Sequence, residues 1–159
     1  KNNVDKAYQL CYSIIKLKKR VSVLLVTREA DYALRILRAL AGGEQRTAAD
    51  ICEQEQIPDK FVYKIAKKLE KSGFIKIVRG AEGGCRLIVD LHTMSLYDLM
   101  EALGSGRLVN ACMQPEYRCT WQERHAEICS LHCRLGEVQK KMDALLRDCS
   151  LYELLYGQE

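Results

Sequence analysis

The hydrophobic period of this chain changes once, at Gly73. That change constrains the fold more than any other feature. Up to Gly73 the apolar residues recur at helical spacing; beyond it FIKIV (74–78) and CRLIV (85–89) read as strands. RGAEGG (79–84) joins them, and three glycines in six residues mark a turn with positive φ. A hairpin placed directly after a helical run restricts the choice to a few architectures.

The helical run divides into three. In TREADYALRILRALAGG (27–43), Thr27 suits an N-cap and Glu29 the first turn, while Ala33, Ile36, Leu37 and Leu40 share one face. Gly42-Gly43 supplies the C-cap. TAADICEQEQ (47–56) opens with Thr47 and Asp50 at capping-box spacing. Ile57-Pro58-Asp59 makes a turn. KFVYKIAKKLEKSG (60–73) then puts Phe61, Val62, Ile65 and Leu69 inward and five lysines elsewhere, ending at Gly73. Helix, helix, turn, helix, hairpin is a winged helix-turn-helix, assigned to residues 27–91.

Beyond it, SLYDLMEAL (95–103) reads as a short helix capped by Ser95, and Gly104-Ser105-Gly106 begins a linker; residues 92–109 are therefore a connecting segment. Residues 110–133 form a cysteine-rich loop. A long helix follows, within residues 128–159, in which Leu131, Leu135, Val138, Met142 and Leu145 are spaced 4, 3, 4, 3. Little sequence remains to cover that seam, so it reads as a homodimer interface. SLYELLYG (150–157) ends the chain in a last helix. The fold class is mostly α: a winged helix-turn-helix with a β-hairpin wing and a long C-terminal dimerisation helix.

Charge supports a polyanionic partner. The net charge is only +4, but residues 57–86 hold eight Lys/Arg against three acids. In a helix-turn-helix the second helix enters the major groove with its N-terminal residues toward the bases. Here those are Pro58, Asp59, Lys60, Tyr63 and Lys64, with the lysines further along meeting phosphates. Arg79 at the wing tip suits a narrow minor groove, and Gly80 allows close backbone approach. Thr27 and Arg28, at the start of the first helix, complete the expected DNA contacts. The plain alternative for any single lysine is solvated surface. A dimer would read double-stranded DNA at a palindromic operator.

Residues 1–26 form an N-terminal extension. Residues 1–22 read better as vector-derived or mistranslated sequence than as a native basic arm. The first Met is Met94, Lys18-Lys19-Arg20 fits purine-rich codons resembling a ribosome-binding site, and Val23 fits a GTG start. No apolar run approaches the roughly 18 residues needed to span a bilayer, which points to the cytoplasm. There, clustered cysteines bind metal or sense redox more often than they form disulfides.

Four of the eight cysteines fall in residues 110–133, spaced Cys112-x6-Cys119-x9-Cys129 with His132 and Cys133 following. The gaps exceed those of a compact zinc knuckle, although a Cys3His zinc site stays open. Three separated thiolates and a fourth ligand suit an iron–sulfur cluster. Cys129 falls at the start of the long helix, where N–H groups favour negative charge, and His132 and Cys133 share its face. Cys52, Cys85 and Cys149 read as small buried hydrophobes.

TREADYALRIL, IPDKFVYKIAKKLEKSGFI, the wing RGAEGGCRL, SLYELL and the three cysteines together resemble the Rrf-two superfamily of bacterial regulators, the group with IscR-, NsrR- and RirA-like members. The resemblance spans residues 26–156. It implies a homodimeric winged-helix transcription factor, usually a repressor, and in its cluster-binding members a 2Fe–2S or 4Fe–4S cluster held by three cysteines. Here 2Fe–2S is preferred. IscR-like members add a His three residues after the third Cys, which His132 matches. NsrR-like members add an Asp from the first helix, which would be Asp31 of the partner subunit. Cys133 is a local third option. Two departures stand: the cysteine gaps are wider than in IscR-like members, and Cys85 replaces the usual wing aromatic. Two other readings are a regulator of the same fold using thiol oxidation, a ligand or a partner, and a small zinc or iron–sulfur protein that does not bind DNA. No acid–base or nucleophile constellation suggests an enzyme.

Overall fold

The computed structural model describes residues 25–80, 82–125 and 127–157. Most of the N-terminal extension, including residues 1–22 and their reading as non-native sequence, therefore lies outside the described residues. The element order is α1 (Arg28–Leu40), α2 (Ala48–Glu55), α3 (Asp59–Lys71), β1 (Ile75–Val78), β2 (Gly84–Leu87), α4 (Leu96–Leu103), a 3-10 turn (Ala111–Met113), α5 (Thr120–Arg124), α6 (Ser130–Asp148) and α7 (Leu151–Tyr156). The expected winged helix-turn-helix is present: helical layers carrying one two-stranded antiparallel hairpin, with Ile75 opposite Leu87 and Val78 opposite Gly84.

Caps set the helix starts as the sequence implied. Thr27 Oγ1 accepts from Ala30 N at 3.3 Å. Thr47 and Asp50 form the reciprocal box, Thr47 Oγ1 accepting from Asp50 N at 3.2 Å and Asp50 accepting from Thr47 N at 3.1 Å. Those bonds from Thr47 hold the Asp50 carboxyl below the usual carboxylate range. Ser95 and Asp98 repeat the box at α4. The turn between α2 and α3 is made by Gln56, whose φ of 53° is left-handed without a glycine. Pro58 then caps α3 with its φ of −63° and no side-chain bond.

Three details differ from the sequence reading. α1 ends at Ala41 rather than at the glycines, and the left-handed turn falls at Gly43. Of the three wing glycines only Gly80 has positive φ. Gly83 and Gly84 are required for space instead: a Cβ at Gly84 would lie 2.5 Å from the Arg46 carbonyl oxygen. That oxygen accepts from Cys85 N, and Arg46 N donates back to Cys85 O, so β2 is pinned beside the α1–α2 loop. Lastly, Phe61 is only half-buried, packing its ring 5.4 Å from Tyr32.

Ala33, Ile36, Leu37 and Leu40 of α1 meet Ile51 of α2 and Val62, Ile65 and Leu69 of α3, all fully buried. Leu99 and Met100 of α4 and Leu151 of α7 extend the same core. Between α1 and α2 the side chain of Arg38 clasps the buried carboxylate of Glu55 with both Nε and Nη2. This ion pair fixes the two helices that support α3. Among the described residues no helix is long and apolar enough to cross a membrane.

The five-residue seam of α6 divides. Leu131, Val138 and Leu145, seven apart, are 62%, 50% and 70% exposed. Leu135 and Met142 are half-buried, and Gln139 and Leu146 on that side are buried. The heptad thus serves two surfaces: one row turns to the chain's own core, and the other, Leu131, Val138 and Leu145, forms an exposed apolar ridge.

Candidate functional site

Two surfaces carry the residues singled out from the sequence. The first is built on α3 and the wing. Pro58, Asp59, Lys60, Tyr63 and Lys64 are all exposed at or near the N-terminal end of α3, and Arg79 and Gly80 are exposed at the wing. A groove of about 540 Å³ runs between helix and hairpin, lined by Thr47, Tyr63, Lys67, Arg79 and Gly80, with buried Cys85 also on its wall. Arg28 is exposed at the start of α1, whereas Thr27 is half-buried and spends its hydroxyl on the cap. Glu82 O accepts from Gln45 Nε2 at 2.6 Å, and Ile77 N donates to Glu70 Oε1 at 3.0 Å; both bonds steady the hairpin.

One expected phosphate ligand is diverted. Lys68 Nζ donates to Glu29 Oε2 at 2.9 Å and to Leu103 O at 2.8 Å, turning inward to join α3, α1 and α4. Lys64 Nζ lies 3.5 Å from Glu29 Oε1. Sequence periodicity placed both lysines on the solvated side of α3, but it carried no signal of an acid 35 or more residues away.

The second surface gathers the cysteine-rich stretch. Cys112, Cys119, Cys129 and His132 line one cleft of about 650 Å³. Each cysteine stands at a helix start. Cys112 lies in the 3-10 turn, where its N donates to Asn110 Oδ1 at 3.2 Å. Cys119 is the N-cap of α5. Cys129 is the N-cap of α6, its Sγ accepting from His132 N at 3.4 Å. All three are half-buried. Thiolate sulfur with imidazole is a donor set suited to an iron–sulfur cluster or zinc. The cleft gathers these donors without closing on an ion: among the described residues no three Cys, His, Asp or Glu side chains stand close enough to hold a metal. Cys133, exposed, and Asp31, paired with Arg35 at 3.2 Å, do not line the cleft.

The remaining cleft wall escaped sequence reasoning. It includes Tyr117, Trp121, Glu127 and Ile128, and Trp121 stacks on His125 at 4.3 Å. Below it a polar clamp ties the linker to α6. Gln139 accepts from Val109 N at 2.8 Å and donates to Arg107 O at 3.1 Å and to Asp143 at 2.8 Å. Arg107 and Arg147 also sandwich the Tyr97 ring, at 3.9 and 3.4 Å. A Gln on an amphipathic helix, with no partner implied by spacing, gave no warning of this role.

Cys52 and Cys85 are set apart chemically. Burial, with Asp59 nearby, pushes the Cys52 thiol up to about 11, and burial also raises Cys85. Both therefore hold their protons at neutral pH.

Comparison with known proteins agrees with the winged-helix fold. A protein of Aquifex aeolicus (strain VF5), described as an HTH-type transcriptional regulator, is 24% identical over 130 residues, covering 80% of this chain and 89% of its own. The fold matches CymR, the global cysteine regulator of B. subtilis, with a TM-score of 0.60 at 18% identity over 86% of this chain and all of CymR. It also matches T. potens IscR, with a TM-score of 0.59 at 16% identity over 90% of each. The family described as an iron-dependent transcriptional regulator, Rrf2, matches residues 26–157. The chain belongs to the Rrf2 family of transcriptional regulators.

Proposed function

We propose that this regulator is a homodimeric, sequence-specific DNA-binding repressor. In this reading an iron–sulfur cluster, 2Fe–2S in preference to 4Fe–4S, is held by Cys112, Cys119, Cys129 and His132. The observation that carries the reading is the single cleft lined by these four side chains at the N-terminal end of α6. The exposed row Leu131, Val138 and Leu145 leads away from that cleft along the same helix, with exposed Ile128 just before its start. A second copy of the chain covers the row, so the cleft lies beside the dimer interface. His132 is preferred as fourth ligand because it lines the cleft and Cys133 does not.

When bound, such a cluster supplies a centre that nitric oxide, oxygen or iron shortage alters. The chain's own residues do the rest. Cys129 ties the cleft to the first turn of α6. Gln139 ties α6 to the linker through Val109 and Arg107. Leu103, at the end of α4, holds Lys68 of α3. A change in the packing of the cleft therefore bears on how the two α3 helices of a dimer are set. Typical coupling of about 1–3 kcal/mol changes affinity about 5–150-fold. Pro58, Asp59, Lys60, Tyr63 and Lys64 meet bases and phosphates of the major groove, with Thr27 and Arg28 alongside and Arg79 and Gly80 on the wing in the minor groove.

Anaerobic purification followed by a visible absorption spectrum tests this. A coloured protein that bleaches on replacing Cys112, Cys119 or Cys129 by Ala is expected, with Cys52→Ala and Cys85→Ala retaining colour. A colourless protein sinks the cluster. The separation of the donors favours one second reading, thiol oxidation without a cluster. That reading predicts a colourless protein whose DNA affinity changes on treatment with a mild oxidant.

A further inference from the structure

Glu29 is an acid placed against the face proposed to meet DNA. It stands in the first turn of α1 with its side chain 27% exposed. Its carboxylate faces two lysines of α3: Oε2 accepts from Lys68 Nζ at 2.9 Å, and Lys64 Nζ lies 3.5 Å from Oε1. Oε1 is buried and has no hydrogen-bond partner among the described residues, which leaves Lys64 as its countercharge. Lys68 is held from the other side by Leu103 O as well. Lys64 has no such second tether among the described residues, and its side chain is 63% exposed, free to swing outward.

We propose that Glu29 is a specificity-setting residue of the DNA interface: an internal counter-anion that occupies Lys64 and Lys68 and so holds down sequence-independent affinity. The inference rests on the reading of α3 as the DNA-contacting helix. Contacts to phosphate carry no sequence information, and their number sets non-specific affinity and its salt dependence. A carboxylate shielded from water interacts more strongly with its cation than a surface one does, because solvent screens it less. A phosphate approaching Lys64 must therefore compete with a partner already in place. Base contacts from Pro58, Asp59, Lys60 and Tyr63 are untouched by this competition, so the ratio of specific to non-specific binding rises. Lys68, doubly tethered, stays behind; Lys64 is the lysine that removal of Glu29 releases.

The test uses the full chain and a random-sequence DNA duplex, read by fluorescence anisotropy between 50 and 200 mM salt. Wild type, Glu29→Gln, Lys64→Gln and the double variant are compared, and thermal denaturation confirms that each is folded. Glu29→Gln is expected to bind more tightly at the low-salt end. Its slope of log affinity against log salt steepens by about 0.9 for each lysine released to a phosphate. Its advantage over wild type then shrinks about 3.5-fold per released lysine across that salt range. Lys64→Gln costs more in the Glu29→Gln background than in wild type. Glu29→Asp, which keeps the charge but retracts it, gives a smaller gain of the same sign and serves if Glu29→Gln does not fold. Unchanged or weaker binding by folded Glu29→Gln, with an unchanged slope, overturns the inference alone. Failure of wild type to bind the duplex in a salt-dependent way overturns the DNA-contacting reading of α3, and this inference with it.

Discussion

Replacing Arg38 by Ala is expected to cost more stability than replacing Glu55, although Glu55 is the more buried of the pair. The Glu55 side chain is 4% exposed and that of Arg38 is 46% exposed. Arg38 donates to both carboxylate oxygens, so its loss strands a buried charge; Arg35 Nη1 reaches only the Glu55 carbonyl, at 3.5 Å. Breaking a fully buried pair this way costs about 3–5 kcal/mol, and the half exposure of Arg38 places the cost near the lower end, about 3 kcal/mol. Glu55→Ala leaves instead a guanidinium that can turn into water. Its cost is the lost charge-assisted hydrogen bonds, about 1.5–2 kcal/mol. At about 3 °C per kcal/mol for a domain of this size, the melting temperature falls by about 9 °C and about 5 °C respectively. Circular dichroism melts at one fixed protomer concentration measure this, because a dimer's melting point depends on concentration. The double variant should melt close to Glu55→Ala alone, since no stranded carboxylate remains. A Glu55→Ala variant as damaged as Arg38→Ala, or a double variant equal to the sum, would refute the reasoning.

Gly84→Ala should cost about 1–3 kcal/mol by overpacking: the new Cβ meets the Arg46 backbone, whose bonds to Cys85 leave it no room to retreat. The variant should stay folded by circular dichroism yet bind DNA more weakly, and unchanged affinity would sink the wing's proposed role. Native-state thiol labelling at pH 8 should modify exposed Cys133 quickly and Cys52 and Cys85 slowly. A raised thiol pKa keeps the unreactive protonated form, so Cys52 labelling accelerates only as pH climbs toward about 11; the reverse order in peptide mapping counts against the burial argument. Val138→Glu and Leu145→Glu place charge on the exposed row of α6 and should yield monomers by light scattering. Dimers that persist in both would show that another surface pairs the subunits.

What was legible in the sequence follows from which interactions are local. Thr47 and Asp50 are three residues apart, and their box could be read directly; so could the period change at Gly73, which located the wing. Ala33, Ile36, Leu37 and Leu40 declared a buried face because a helix repeats on a scale shorter than the segment. The cysteine cleft was half legible. Spacing pointed to Cys112, Cys119, Cys129 and His132, and all four line one cleft. The loop between them has no period, so nothing fixed how closely the sulfurs approach or that Tyr117 and Trp121 share the wall. Long-range polar pairing was not legible at all. Lys68 looked like a phosphate ligand, because a lysine on the polar side of a basic helix is normally solvated; a carboxylate from α1 and a carbonyl from α4 claim it instead. Gln139 likewise looked like one more polar position until the 107–109 backbone was laid against it. Both residues join elements distant in sequence. The contacts linking the cysteine cleft to the basic helix are therefore the ones that one-dimensional patterns cannot encode, because each exists only after two independently patterned helices have packed.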